Sequence, residues 1–148
     1  MNTIYFSVII CCYNSEHFIK ETINSVLTQT YANWEIVIIN DGSTDNTDKI
    51  IKKYIKNGIN LKYFKQKNKG FAAARNKAIE LSKYDWIAII DHDDICQKDR
   101  LKIHADQIKN NKNCMLFFGN SIIFSNYNSF ISKHFSKFNF DKIKLNKN

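Results

Sequence analysis

Several residue types and patterns are scarce or missing in this chain, and each absence excludes a class of protein. It has no proline and only 4 glycines in 148 residues, and no G-x-G-x-x-G occurs, which argues against a dinucleotide-binding loop. No C-x-x-C spacing joins its 4 cysteines, so neither a zinc site nor a redox pair is indicated. The apolar run from Ile4 to Cys12 is far shorter than the ~20 residues that cross a bilayer, and it lacks the basic segment and cleavage site of a secretory leader.

The composition is that of a folded chain with a basic surface. Hydrophobic residues make up 44% and aromatic residues 14%, and the length suits one domain with a core, so we expect residues 1–148 to form a single domain. The net charge is +8. Because the lysines are spread along the chain, we interpret them as solvated faces; attraction to an anionic membrane or an acidic glycan is the alternative. Neighbouring Cys11 and Cys12 are interpreted as buried thiols, which fits a reducing compartment such as the cytoplasm.

Apolar strands and amphipathic helices alternate along most of the chain. We predict strands over Ile4–Ile10, Trp34–Ile39, Leu61–Phe64 and Trp86–Ile90, and further strands over Met115–Phe118 and Ser121–Phe124. We predict helices over Ile19–Leu27, Thr47–Ile55, Phe71–Leu81 and Leu101–Ile108, with Phe71, Ala74 and Ala78 on one face of the third. This alternation predicts an α/β fold with a Rossmann-like, mostly parallel sheet flanked by helices.

Four carboxylates follow two of the predicted strands. Asp41 comes after the second strand, and Asp91, Asp93 and Asp94 come directly after the fourth. Crowded carboxylates repel one another unless a cation lies among them, and oxygen ligands suit Mg2+ or Mn2+. The sequence therefore predicts a metal that holds a diphosphate, with a solvated acidic turn as the alternative. His92 alternates away from the carboxylates, so we interpret it as a neighbour of the site rather than a metal ligand.

Other polar groups lie where ligands bind in open parallel sheets, beyond the carboxyl ends of the strands. Tyr13 and Asn14 follow the first strand, and Asp41 offers an acceptor for a base N–H unless it only forms a turn. Gly70 opens the third helix, whose first N–H groups suit an anion. Arg75 on that helix is expected to reach a phosphate or a carboxylate of the acidic cluster, with a solvated arginine as the alternative.

An aromatic, lysine-rich stretch occupies the last quarter of the chain. Its rings are Phe124, Tyr127, Phe130, Phe135, Phe138 and Phe140. We interpret it as covering a core, with a membrane or partner surface as the alternative. Stacking on nucleic acid is argued against by the acidic cluster, so no nucleic-acid partner is expected.

Taken together, the ordered motifs resemble a known family, the nucleotide-sugar glycosyltransferases of family two, which have the GT-A fold. The segments that carry the resemblance are Ser7–Asn14, Ser25–Tyr31, Glu35–Asp45, Asn68–Asn76 and Asp91–Asp94. They stand in the family's order and spacing over about the first two-thirds of the chain, which makes the match far more specific than any single motif.

The resemblance implies a function and a set of roles. It implies transfer of a sugar from a UDP-sugar donor to a glycan or lipid-linked acceptor, mostly with inversion, with Mn2+ or Mg2+ as cofactor. The residues implied in donor binding are Tyr13, Asn14, Asp41, Gly70, Arg75, Asp91 and His92. Asp91 and Asp93 match the D-x-D that holds the ribose and the metal, and Asp94 is a second candidate for the metal.

Two departures from the family pattern leave alternatives open. Cys11 stands where the family usually has proline, and no motif for the catalytic base follows the D-x-D before Asn148. We therefore expect a donor-binding domain that is incomplete at its C-terminus, in the cytoplasm or at the inner face of the plasma membrane. A non-catalytic nucleotide-sugar-binding fragment is one alternative. A phosphatase of the haloacid dehalogenase type is another, because Asp91–Ile95 fits its D-x-D-x-[hydrophobic] spacing.

Overall fold

The computed structural model describes residues 3–117, 119, 121–124 and 130–134, in ten elements. These are β1 (Phe6–Cys12), α1 (Ile19–Leu27), β2 (Trp34–Asn40), α2 (Thr47–Lys56), β3 (Leu61–Lys65), α3 (Phe71–Leu81), β4 (Trp86–Asp91), α4 (Arg100–Asn110), β5 (Ser121–Phe124) and β6 (Phe130–His134). The chain divides into two compact units, Met1–Lys112 and Asn113–Asn148. The expectation of a single donor-binding domain stays a prediction.

The first unit contains a four-stranded parallel sheet in the order β3-β2-β1-β4. All seven residues of β1 are buried, because it lies between β2 and β4 and both of its faces are covered. The predicted α/β fold with a mostly parallel sheet and flanking helices is confirmed. β1 runs to Cys12, two residues beyond the predicted end, because the apolar run continues through both cysteines.

One face of the sheet packs against α3. Ala74 and Ala78 of α3 are buried against a core cluster that includes Ile9, Cys11 and Ile39. The strand register pairs Cys11 with Ile39 on β2 and with Asp91 on β4. Because partners in register point to the same face of a sheet, Asp91 shares the α3 face with the core cluster. The small alanines let the helix lie close to the strands.

The order in which strands are added to the sheet reverses at β1. From β1 the chain proceeds through β2 to β3, and after α3 it returns to add β4 on the other side of β1. In open α/β sheets, ligands bind at such a switch point, beyond the carboxyl ends of the strands. Here β1, β2 and β4 end at Cys12, Asn40 and Asp91. The residues just beyond these three strand ends are therefore the expected ligand-binding positions.

Glu35 links several strands at the other end of the sheet, where the strands begin. Its carboxylate accepts hydrogen bonds from the Ser7 hydroxyl (2.7 Å) and the Lys83 backbone N–H (2.6 Å), and pairs with Lys62 Nζ at 3.0 Å. Burial alone would raise the pKa of Glu35, but these bonds together hold that pKa below its ordinary value. The network ties β1, β2 and β3 to the segment that precedes β4.

The second unit contains a β-hairpin. β5 pairs with β6 in antiparallel register, which confirms the predicted strand at Ser121–Phe124. The strand predicted over 115–118 is wrong for 115–117, which form no strand, and Met115 is 88% exposed. Residue 118, and residues 127, 135, 138 and 140 of the aromatic stretch, lie outside the described residues. Among the residues that the structure describes, no helix is both long and apolar enough to span a bilayer.

Candidate functional site

Asp41 follows β2 directly and is buried, with 4% of its surface exposed. Its backbone N–H donates to the Cys12 carbonyl at 2.9 Å, which joins the ends of β1 and β2. Its Oδ1 accepts from Gln66 Nε2 (2.7 Å) and the Lys69 N–H (2.9 Å), and its Oδ2 accepts from the Gly70 N–H (2.8 Å). A carboxylate offers about four acceptor positions, so within the described part of the chain one position on Oδ2 has no hydrogen-bond donor.

The loops after β1 and β2 are fastened to each other. Asn14, whose φ is 48°, receives Thr44 N–H at its Oδ1 (2.9 Å) and donates its own N–H to Ser43 Oγ (3.0 Å). Gly42 has φ +81°, and a Cβ there would lie 2.7 Å from the Asn68 backbone nitrogen. The loop over residues 66–70 therefore rests directly on Gly42, while the exposed Asn14 bridges the loops after β1 and β2.

Arg75 and Asp91 form an ion pair at the carboxyl edge of the sheet, beside Cys11, the register partner of Asp91. Arg75 Nη2 lies 2.7 Å from Asp91 Oδ1, which confirms the predicted contact between this arginine and the acidic cluster. Burial raises the pKa of Cys11 to about 11; the nearby Arg75 charge lowers it, and the Asp41 and Asp91 carboxylates raise it further. The structure thus brings Asp41, Arg75 and Asp91 together at the edge of the sheet. The ion pair is half-exposed, so it adds little to folding stability. Its main effect is to fix where the Arg75 and Asp91 side chains lie.

Two aromatic rings stand beside Asp41. Tyr13 and Phe71 are 42% and 43% exposed, and both line a small pocket whose other walls are Asp41, Ala74 and the two cysteines. The pocket itself has a volume of only about 10 Å3, so a planar heterocycle would lie on the exposed face of a ring rather than inside the pocket. Sequence reasoning missed Phe71, because helical periodicity placed it on the packed face with Ala74. The signal that could have found it is its place directly after Gly70, at the end of the helix nearest the sheet edge.

His92 is a half-buried residue of the acidic turn, and it contacts Phe71 of the aromatic pocket. Its ring stacks on Phe71, with centroids 5.9 Å apart and planes at 30°. Its carbonyl accepts from Thr22 Oγ1 on α1 at 2.8 Å. Its Nδ1 is buried without a hydrogen-bond partner within the described residues. These contacts place His92 beside the site, as expected, while its role in donor binding stays a prediction.

The acidic turn after β4 is exposed to solvent at its tip. Asp93 and Asp94 are both exposed, and the Asp94 N–H donates to the Asp91 carbonyl at 3.1 Å. Partial burial, and then the neighbouring charges of Asp91 and Asp93, raise the pKa of Asp94. An opposite charge would relieve this repulsion.

The carboxylates of the acidic turn suit a hard divalent cation that takes its remaining ligands from a bound substrate. Within the part of the chain that the structure describes, no three acidic, histidine or cysteine side chains are gathered closely enough to hold a metal by themselves. Mg2+ usually binds one or two carboxylates together with phosphate oxygens and water. The exposed carboxylates of Asp93 and Asp94 offer that kind of incomplete site.

The sequence of residues 7–148 matches the family described as "Glycosyl transferase family 2". The chain belongs to this family. Among the relatives of this family 2 chain is the Escherichia coli UDP-Glc:alpha-D-GlcNAc-diphosphoundecaprenol beta-1,3-glucosyltransferase WfgD, 37% identical over 133 residues, which are 90% of this chain and 51% of WfgD. Another is the glycosyltransferase GlyG of Streptococcus pneumoniae serotype 4, 35% identical over 70% of this chain and 35% of GlyG.

Solved structures share the fold of this family 2 chain. The S. aureus TarS 1-349 structure, in complex with UDP, superposes with a TM-score of 0.68 and 35% identity, covering 74% of this chain and 33% of TarS 1-349. The predicted GT-A type of fold is thus confirmed. The chain spans about half of WfgD and about a third of GlyG and TarS 1-349. Nothing in these comparisons supports the phosphatase alternative.

A larger open groove lies elsewhere, between α1 and α2. Its volume is about 350 Å3, and it is lined by Lys20, Asn24, Ile50, Lys53, Tyr54 and Asn57. None of the strand-end carboxylates contributes to it, and neither do Tyr13 and Phe71. We therefore place the candidate site at the carboxyl edge of the sheet, where topology and charge coincide, rather than in the groove of greater volume.

Proposed function

We propose that this chain binds the nucleotide-sugar donor of a glycosyltransferase, a UDP-sugar, at the carboxyl edge of β1, β2 and β4. The observation that carries the proposal is the Arg75–Asp91 pair at the switch point of the sheet, with Asp41 lining the pocket beside Cys11, the register partner of Asp91. The half-exposed ring of Tyr13 beside Asp41 supports a planar base there. The choice of UDP is supported by TarS, which was solved with UDP and with UDP-GlcNAc.

Each group of the base pocket has a task in this proposal. Tyr13 covers one face of the base, and the open acceptor position of Asp41 takes a base N–H. The Lys69 and Gly70 N–H groups hold that carboxylate in place. Asn14 keeps the two neighbouring loops together. Since the carboxylate is already fixed before the ligand arrives, little order has to be gained on binding.

The charged groups act on the phosphate-bearing part of the donor. Arg75 brings positive charge to the edge while Asp91 fixes its orientation. Asp93 and Asp94 would hold Mn2+ or Mg2+ together with oxygens of the sugar donor, with Asp91 as a further candidate ligand, and the bound ion would neutralise the leaving diphosphate as a Lewis acid. His92 supports this region through its contact with Phe71.

The proposed reaction passes the sugar with inversion to a glycan or lipid-linked acceptor. The name of WfgD states a lipid-linked diphosphoundecaprenol acceptor, which supports that class and a place in the cytoplasm or at the inner face of the plasma membrane. The second candidate is a non-catalytic nucleotide-sugar-binding role, favoured by the fact that the assigned residues serve the donor and none is assigned as the base. Sugar release from a UDP-sugar in the presence of acceptor supports the first candidate, and donor binding without release supports the second.

Calorimetric titration with UDP, with and without Mn2+, tests donor binding. We expect Mn2+ to tighten binding, and Asp93→Ala to remove most of that gain, roughly tenfold for one lost charged ligand. The matched control is Asp85→Ala, because Asp85 is also exposed but precedes β4 at its other end. UDP binding that responds neither to Mn2+ nor to Asp93→Ala would refute the metal bridge, and no UDP binding at all would refute the donor site.

A further inference from the structure

Phe71 lies at the start of α3, beside the candidate site. It is the first residue of α3 and directly follows Gly70, whose N–H is bound by Asp41. Its large apolar ring is 43% exposed, whereas the alanines one and two turns along the same helix are fully buried. Single exposed apolar side chains are common on protein surfaces, so the case for Phe71 rests on what its ring contacts.

The Phe71 ring contacts a cation on one element and an aromatic ring on another. The guanidinium carbon of Arg75, one helical turn along α3, lies 5.5 Å from the ring centroid. The His92 ring stacks on the same side chain at 5.9 Å. Arg75 in turn pairs with Asp91, the residue before His92. A closed set of contacts therefore joins the start of α3 to the end of β4. Its members are Phe71, Arg75, Asp91 and His92.

We propose that Phe71 is a positioning residue that fixes Arg75 and Asp91 for the phosphate-bearing part of the donor, which deepens the proposed function and rests on it. A half-exposed arginine–carboxylate pair is weak in water and both partners retain rotamer freedom. The cation–π contact restricts Arg75, and the stacking contact restricts His92, the residue that follows Asp91. Because Phe71 also lines the pocket with Tyr13 and Asp41, it connects the base end of the site to the acidic turn.

A comparison of UDP with uridine separates positioning from simple lining of the base pocket. Dissociation constants for both ligands are measured with Mn2+ for the wild type, Phe71→Leu and Phe71→Tyr. We expect Phe71→Leu to weaken UDP binding roughly tenfold, the combined size of one cation–π and one stacking contact, and uridine binding less than about twofold. Phe71→Tyr keeps the ring face and should restore UDP affinity.

Phe64→Leu is the matched control. Phe64 is 39% exposed and its ring also lies beneath a cation, with Lys77 Nζ 5.3 Å from the centroid, but it does not line the pocket. The control should leave both dissociation constants unchanged. Phe71→Met serves as a second flexible replacement should the leucine variant fold poorly, as judged by its circular dichroism and melting temperature.

The outcomes distinguish this inference from the function beneath it. Equal losses of UDP and uridine binding in Phe71→Leu would overturn positioning in favour of a ring that only lines the base pocket. Unchanged affinities for both ligands, or a tyrosine variant that fails to restore UDP binding, would overturn it as well. In each of these cases the wild type still binds UDP and the proposed function stands. A wild type that binds no UDP refutes the proposed function, and the inference with it.

Discussion

Substitution of Asp41 by asparagine disturbs the most tightly held group of the site. The carboxylate is 4% exposed and accepts three hydrogen bonds, from Gln66, Lys69 and Gly70. Asparagine keeps the shape but replaces one acceptor oxygen with an NH2 donor. If the amide oxygen takes the place of Oδ1, two bonds survive, and the new NH2 then faces the Gly70 N–H as donor against donor.

The magnitude follows from that one lost bond. Removing the acceptor of a buried donor costs about 1–3 kcal/mol, and bonds to a charged acceptor lie toward the upper part of that range. Because Gly70 is exposed and water can reach its N–H, we expect about 1–2 kcal/mol of lost unfolding free energy. Asp41→Asn should also weaken UDP binding, since the open acceptor position on Oδ2 becomes a donor.

Urea denaturation followed by circular dichroism measures the first effect, and calorimetry with UDP the second. Asp85→Asn is the control, because the same chemical change on an exposed side chain should alter neither quantity beyond error. An Asp41→Asn protein as stable as the wild type would refute the role of Asp41 in holding loop 66–70. Normal stability with lost UDP binding would restrict Asp41 to ligand contact alone.

Three further predictions concern backbone, pH and thiol reactivity. Gly42→Ala should lower the unfolding free energy by about 1–3 kcal/mol, since φ is +81° and the new Cβ would meet the Asn68 nitrogen; a melting curve unchanged from the wild type would contradict the close packing of these loops. The pKa of Glu35 is depressed in the folded state, so its contribution to stability is present above the ordinary glutamate pKa and is lost as pH falls through the folded pKa. The urea midpoint should therefore fall less between pH 7 and pH 3 in Glu35→Gln than in the wild type. An equal fall in both proteins would contradict this. Burial raises the pKa values of Cys11 and Cys12 to about 11 and about 12, so neither thiol should react with a disulfide reagent at pH 8 until urea is added, and rapid reaction of either in the native protein would show that β1 is not covered.

The sheet could be predicted from the sequence because its strands are long apolar runs. β1 and β2 are buried along most of their length, while β4 buries Ala88 and Ile90, and the helices between the strands fix the parallel order. The meeting of Arg75 with Asp91 was predictable for the same reason, since topology alone brings the start of α3 to the end of β4. Met115 shows the limit of this reasoning: the run that it begins has strand-forming residues, but it is exposed and forms no strand over 115–117.

The interior of the site could not be predicted in the same way. Two of the donors to Asp41 are backbone N–H groups of Lys69 and Gly70, whose direction depends on the path of the loop rather than on residue type. The stacking of Phe71 on His92 joins residues 21 positions apart, 92 minus 71. No periodicity within one element reports such a contact between two elements.

The location of the donor is the central claim, and amide chemical shifts of the 15N-labelled protein titrated with UDP and Mg2+ test it most directly. The account predicts the largest shifts at Tyr13, Gly70 and the acidic turn over residues 91–94, with little change along the α1–α2 groove around Tyr54. Shifts that cluster around Tyr54, and leave the carboxyl edge of the sheet unchanged, would contradict it.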